Sequence, residues 1–363
     1  MALVSAIDGR WMLADHTGVI NQLPNQYGYL NSLNLFTAKP TTQHSIIMDV
    51  EQTKISLLDS QDSRLSGEAE APGRDDVHQI AFPLIPFKVI ESITPEEIQG
   101  VRQVGTADVA ETEARVRARK LKKLRAQFDI TKEFMFAGAI RGVVKDARGV
   151  VRLDMFKQFG VEKKTIVIPV NDATATFALD NAIEDLKAYM EDNAGAGTII
   201  NGEDITVLVN SAFFRALTNH QYLREAFLMQ QTALSYQQMT GSLRTGGADG
   251  VQASMSKFVY RGVTFVEYRG KFVDKRGTEH TLVDLGGKAG GHAFPNYQSL
   301  GGNELFQIAY APPFKMDYVN TLGQPLYVFE YERPRDEGID FEAHSIMMPY
   351  CTRPQLLVDI VAE

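Results

Sequence analysis

Apolar positions set the first divisions of this chain. Val109, Val116, Leu124, Phe128 and Met135 recur at intervals of seven, eight, four and seven residues, which places one narrow apolar stripe along one face of a helix. Thr94, Pro95, Glu96 and Glu97 supply a start signal, with Thr able to cap, Pro suited to the first helical position and Glu97 completing a capping box. Gly100 and Gly105 weaken the next turns, so the reading is a short helix or kink, then a continuous helix from about Thr106 to Ala139. At ~1.5 Å per residue that helix is about 50 Å long, more than a compact domain of this size needs. The pattern therefore predicts a spine crossing the whole subunit.

Upstream the pattern is different. Met1 to Pro40 carries large apolar residues, among them Leu3, Trp11, Leu23, Leu30, Leu35 and Phe36, with no sustained period, and reads as an arm lying on other surfaces. Gln43 to Leu58 reads as strand, with Ile46, Ile47, Met48 and Val50 and then Ile55 and Leu57 separated by polar residues, and Ile80, Phe82 and Leu84 alternate again beyond the acidic, turn-rich stretch Gln61 to Val77. Two strands around such a tip make a protruding hairpin. A lone hairpin is marginal in water, so its apolar face needs support, and a neighbouring subunit is the economical source.

Downstream, Gly142 to Leu153 reads as a tight hairpin with Asp146 and Gly149 supplying the turn. A strand follows at Thr165 to Val170. Leu179, Ile183, Leu186 and Met190 step by four, three and four, giving an amphipathic helix over Thr176 to Asn193. Ile205 to Val209 is a short buried strand, Ser211 is placed to cap the helix after it, and Tyr222 to Met229 is another short helix. Ser242 to Gly250 reads as glycine-rich and mobile. Phe258 to Tyr268 and Thr281 to Leu285 read as strands around a charged turn, and Leu326 to Tyr331 and Phe341 to Met348 as strands returning to the end. The fold class is α+β, with an α/β middle third and no internal repeat.

Composition narrows the function classes. The chain has 363 residues, 44% of them hydrophobic and 9% aromatic, which is the balance of an ordinary core-forming protein. A net charge of -8 argues against a protein whose main task is neutralising phosphates. The single cysteine, Cys351, excludes an internal disulfide and fits a reducing cytoplasm. No secretory signal and no membrane-length apolar run is present.

Candidate chemistry is sparse. The histidines His16, His44, His78, His220, His280, His292 and His344 are dispersed with no ligand-spaced pair, and each reads as a surface or loop residue. Gly286, Gly287, Lys288, Ala289, Gly290 and Gly291 lack the spacing of a phosphate loop and read as a turn. Ser211 follows a buried strand, where hydrolases place a nucleophile, but the flanking glycines of a nucleophile elbow are missing. Cys351 reads as a small buried residue. Arg115, Arg117, Arg119, Lys120, Lys122, Lys123 and Arg125 form the densest basic run. Without interleaved aromatics they read as a solvated helix face, paired along the helix as Glu111 to Arg115 and Glu113 to Arg117. No catalytic, cofactor-binding or metal-ligating residue is expected, and the chain is not read as an enzyme.

One resemblance organises these parts. Arg119, Leu121, Leu124, Asp129, Thr131 and Glu133, running into Gly138, Ala139, Arg141, Gly142, Val143, Asp146, Gly149 and Phe156 to Val161, resemble the major capsid protein family of lambda-like tailed bacteriophages, with its Hong Kong 97 type capsid fold. The likeness continues at Tyr310, Ala311 and Pro312, at Val319 to Pro325 and Tyr327, and at Ser345 and Pro349.

That resemblance implies an N-terminal arm over 1–48, an extended loop over 49–92, a peripheral domain with the spine helix and small hairpin over 93–170, a central α/β axial domain over 171–320, and strands over 321–363 returning to the peripheral domain. It implies a major capsid protein that self-assembles into hexamers and pentamers of an icosahedral shell. The shell encloses double-stranded DNA without sequence-specific binding and is assembled in the host cytoplasm as part of the virion. A scaffolding protein, a portal and a decoration protein are the partners it implies, and no membrane. One relative welds its shell through a lysine on the extended loop; Gln61 to Val77 has none, so a non-covalent shell is expected here. The alternatives are a cellular nanocompartment shell of the same fold and, ranked lower, a hydrolase with Ser211 as nucleophile.

Overall fold

The computed structural model describes residues 28–52, 76–99, 112–172, 176–194, 204–229, 242–246, 252–273, 276–277, 279–281, 288–296, 299–300 and 303–363. In chain order the first elements are α1 (Tyr29–Ser32), β1 (Thr37–Pro40), β2 (Ser45–Gln52), β3 (Asp76–Pro83), β4 (Ile85–Ile93) and the long helix α2 (Glu113–Arg141). Next come β5 (Val143–Lys145), β6 (Val151–Asp154), α3 (Met155–Phe159), β7 (Lys164–Ile168), α4 (Thr176–Asn193), β8 (Ile205–Val209), α5 (Ser211–Asn219) and α6 (Gln221–Met229). The remainder is strand: β9 (Ser242–Gly246), β10 (Gln252–Tyr260), β11 (Val263–Glu267), β12 (Lys271–Val273), β13 (Glu279–Thr281), β14 (Gly290–Pro295), β15 (Ser299–Leu300), β16 (Asn303–Glu304), β17 (Phe306–Ala311), β18 (Tyr327–Glu332), β19 (Ile339–Cys351) and β20 (Val358–Ala362).

Two sheets carry the fold. In the first, β19 is the axis: β4 lies antiparallel along one side, while β18 and β17 share the other side in succession, and β1 adds parallel to β17. The second has seven strands in the order β7-β20-β14-β8-β11-β10-β9. Its inner strands β8 and β14 are buried along their whole length, as apolar runs without alternation require. β17, within the range read as axial, thus pairs in the first sheet, and β20, within the returning range, pairs in the second between β7 and β14.

The spine helix exists and begins at Glu113, not Thr106, with residues 100–111 outside the described set. Its 29 residues span about 43 Å. The described part of the expected stripe is buried: Val116, Leu124 and Phe128 pack with Ile93, Phe341 and Ala343 on the first sheet, while Met135 enters the main core. One helix therefore joins two hydrophobic clusters. It stops at Gly142, whose φ of +81° lets its N–H reach back to the carbonyls of Gly138 and Ala139. At the other end, Pro95–Glu97 forms a single 3-10 turn in which the Thr94 side chain makes no capping bond.

Other expectations are corrected by packing. The later part of the arm is integral to the fold, since Tyr29, Leu30 and Leu35 are buried in the main core and Thr37–Pro40 is a sheet strand. The hairpin of β2 and β3 forms as read, but the inner face of its base rests on this chain's own core through Ile46, Ile80 and Phe82, the last edge-on to Tyr350 at 5.3 Å. The tip, Gln61 to Asp75, lies outside the described residues. Phe258 to Tyr268 is broken by a turn at Arg261 and Gly262, with φ of +48° and +84°, that folds β10 onto β11. Ser242–Gly246 forms β9, with 247–250 outside the described residues; Gly290 and Gly291 open β14 rather than a turn; and of the strand read at Thr281 to Leu285 only Thr281 is described, as the end of β13, with 282–285 outside the described residues. Helix α5 is capped by Asn210, which accepts from the N–H of Phe213, with Ser211 its first residue.

Candidate assembly surfaces

Among the described residues, those read for chemistry do not converge. Cys351 is fully buried, and burial pushes its thiol up to about 12. His220 and His292 are buried rather than superficial; His220 bonds the carbonyl of Asp172 at 2.9 Å, and His292 Nδ1 lies 2.6 Å from Asp359. His16 lies outside the described residues. Ser211 opens α5, and of the glycine-rich stretch Gly290 and Gly291 open β14 while residues 286 and 287 lie outside the described residues. Among the described residues, no group of three His, Cys, Asp or Glu side chains stands close enough to hold a metal ion, and no helix is long and apolar enough to cross a membrane.

The basic run does its pairing across elements. Arg117 reaches Glu330 on β18, Lys120 reaches Glu97 at 2.5 Å and also the carbonyl of Ser92, and Lys123 reaches Glu91 on β4 at 2.5 Å. Arg125 with Asp129, at 4.0 Å, follows the expected spacing of four along the helix, and Glu111, read as the partner of Arg115, lies outside the described residues. The cations thus dock the spine on the first sheet. Sequence reading missed this because the carboxylates, on β4, β18 and the 3-10 turn Pro95–Glu97, lie 23 to 213 positions away in the chain.

The surface with unspent apolar groups is the loop between β17 and β18. Phe314 is 71% exposed, Met316 89%, and Val319 and Leu322 each 61%. The backbone beneath them is tightly held. His44 bonds the carbonyl of Pro312 at 2.8 Å and stacks on Phe314 at 4.1 Å, and Tyr318 sits edge-on to Tyr327 and Phe329 at 5.3 and 5.5 Å. Gly323 donates to Thr41 at 3.0 Å, and a Cβ there would collide with the carbonyl of Tyr310. Exposed apolar area costs about 25 cal/mol per Å² relative to burial, so a fixed loop displaying four large apolar side chains is a surface prepared for a partner.

Beside it the open face of the first sheet is charged. Lys88 of β4 and His344 of β19 both pair with Glu342, and Lys315 lies 3.6 Å from the same carboxylate while its ammonium sits over the Phe329 ring. The hydrogen bond from Lys88 leads in holding Glu342 down at about 2. On the opposite face, where α2 runs, Phe87, Val89, Phe128, Phe134, Met135 and Phe272 line an open cleft of about 270 Å³. Among the described residues, these surfaces bring together no nucleophile with a base.

The family model described as phage major capsid protein E matches residues 13–362. A major capsid protein of Salmonella phage Felix O1 is 56% identical over 366 residues, covering 99% of each chain. Among solved structures, the capsid of the Myoviridae phage XM1 aligns with a TM-score of 0.52 at 9% identity, covering 97% of this chain and 96% of that one. The capsid structure of cyanophage P-SCSP1u aligns with a TM-score of 0.51 at 11% identity, covering 97% and 93%. At such identities the structures show the fold alone, which is the Hong Kong 97 type. With the family model spanning nearly the whole sequence and a relative sharing more than half of its residues, the chain belongs to the phage major capsid protein E family, whose members are structural proteins of the virion.

Proposed function

We propose that this chain tiles an icosahedral shell as hexamers and pentamers enclosing double-stranded DNA, held by contacts with its own copies and without sequence-specific contact to the DNA. The observation that carries this reading is the clamped apolar loop from Phe314 to Leu322, which the subunit itself cannot cover. A head-to-tail contact repeated around a ring closes into a capsomer, and the same subunit then has to meet the next ring. The working parts in this reading are the arm 1–48, the extended loop 49–92, the peripheral domain 93–170, the axial domain 171–320 and the returning strands 321–363. A net charge of -8 suits a container whose wall does not grip its contents. Assembly in the host cytoplasm, with a scaffolding protein, a portal and a decoration protein, belongs to the same proposal. So does a non-covalent shell, supported by the lack of lysine in Gln61 to Val77.

The test is negative-stain electron microscopy of the full chain expressed alone and with its neighbouring genes. Hollow polyhedra, or tubes and sheets of hexamers, are expected. A monodisperse monomer under both conditions would overturn the proposal.

A further inference from the structure

A carboxylate on the spine helix is placed where a charge is costly. Glu133 is fully buried, and its two oxygens accept from three donors that belong to different parts of the molecule. The backbone N–H of Leu30 donates to Oε1 at 2.8 Å and that of Asn31 to Oε2 at 2.9 Å, both from α1; the Tyr268 hydroxyl, just past β11, donates to Oε1 at 3.0 Å. Tyr268 is itself fixed in place. Its ring folds back over Gly270, where any Cβ would collide with it, and it lies 6.5 Å from the ring of Tyr29. One side chain on α2 thus ties the segment from Gly28 to Phe36 and the end of a strand of the seven-stranded sheet to the spine.

We propose that Glu133 is a protonation-controlled clasp: its charge state sets whether the segment Gly28–Phe36 stays docked on the spine helix and on the seven-stranded sheet. The groups facing it are few. Lys132 lies next to it on α2 and Asp129 one turn earlier; Tyr29 comes from α1, Tyr268 from the end of β11, and Tyr310 of β17 lies beside Asp129. Burial raises Tyr29 to about 12, so it stays neutral through the relevant range. Burial also pushes the Glu133 carboxyl up to about 7, against the opposing pull of the three hydrogen bonds and the Lys132 charge.

The sign follows from linkage. With the segment docked the carboxyl holds its proton more tightly than it does when exposed to water, so undocking releases a proton. Docking is therefore strongest in acid, and it weakens as pH rises from the ordinary carboxyl value through about 7. Above that range a buried charge is retained through its three donors and the Lys132 charge. This behaviour is the reverse of an ordinary salt bridge, which acid breaks.

Amide hydrogen exchange on the full-length protein tests it, read on peptides within residues 28–36 and corrected for the intrinsic pH dependence of exchange. Protection there is expected to fall on the order of 70-fold between pH 5 and pH 8, the ratio that linkage gives for such a shift, while peptides from β18 stay unchanged. In Glu133→Gln, which cannot ionise, protection of the segment should be independent of pH. A flat wild-type profile, or the same fall in Glu133→Gln, would overturn the proposal. If Glu133→Gln does not fold, Tyr268→Phe decides: losing one donor to the carboxylate should move the wild-type midpoint to higher pH, and an unmoved midpoint would equally overturn it.

Discussion

On β14 the imidazole of His292 is enclosed, with Nδ1 2.6 Å from Asp359 Oδ1, while Lys163 holds the other oxygen of that carboxylate at 2.8 Å. Desolvation keeps this imidazole below the usual histidine value, with Asp359 pulling the other way. The folded chain thus holds His292 neutral, and the unfolded chain binds the proton more readily once pH drops below about 6.5. Its contribution to stability is complete above that value and is lost as pH falls. The melting temperature should drop between pH 7 and pH 5 and drop less in His292→Gln; equal slopes would remove His292 as the cause. Glu133 acts with the opposite sign in the same window, so the difference between variant and wild type is the informative quantity. Neither residue announced itself in the sequence. A histidine in a strand and a glutamate on a helix are ordinary until partners 67 and 103 positions away enclose them. For Glu133 one signal existed, since the run Phe134 to Ile140 that follows is apolar on every side, so the helix enters a core there.

Helices and tight turns were the legible elements, because their causes are local. The stripe of Leu179, Ile183, Leu186 and Met190 specifies α4 over the expected span. The small hairpin works as read too: Asp146 accepts from the N–H groups of Arg148 and Val150 at 2.8 and 3.0 Å, and Gly149 takes a φ of +80°. The turn at Arg261 escaped notice because its first left-handed residue is an arginine, which carries no turn signal. Gly142 is the element-level pivot, ending the spine and turning the chain into β5. A Cβ there would combine a left-handed backbone with a collision against the Phe156 ring. Gly142→Ala is expected to cost about 1–3 kcal/mol in chemical denaturation. A cost under about 0.5 kcal/mol, the scatter of neutral surface changes, would show that the ring simply moves aside.

For the whole molecule the sheet orders were beyond sequence reading, since β17 was not recognised and β20 enters the second sheet between strands made far earlier. The family resemblance filled that gap where periodicity could not. The clamped loop supplies the assembly prediction. Met316→Asp with Leu322→Asp places charges on side chains that touch little of their own subunit, so stability should stay within about 0.5 kcal/mol of wild type. Closed particles should be absent by electron microscopy, and normal particles would show that the loop faces no neighbour. The position of β20 has a consequence in time. β7 leaves the ribosome roughly 10–40 s before β20 does at ~5–20 residues per second, and until then the gap between β7 and β14 is open. A prematurely terminated chain lacks the strand that joins β7 to β14, so it leaves that sheet open.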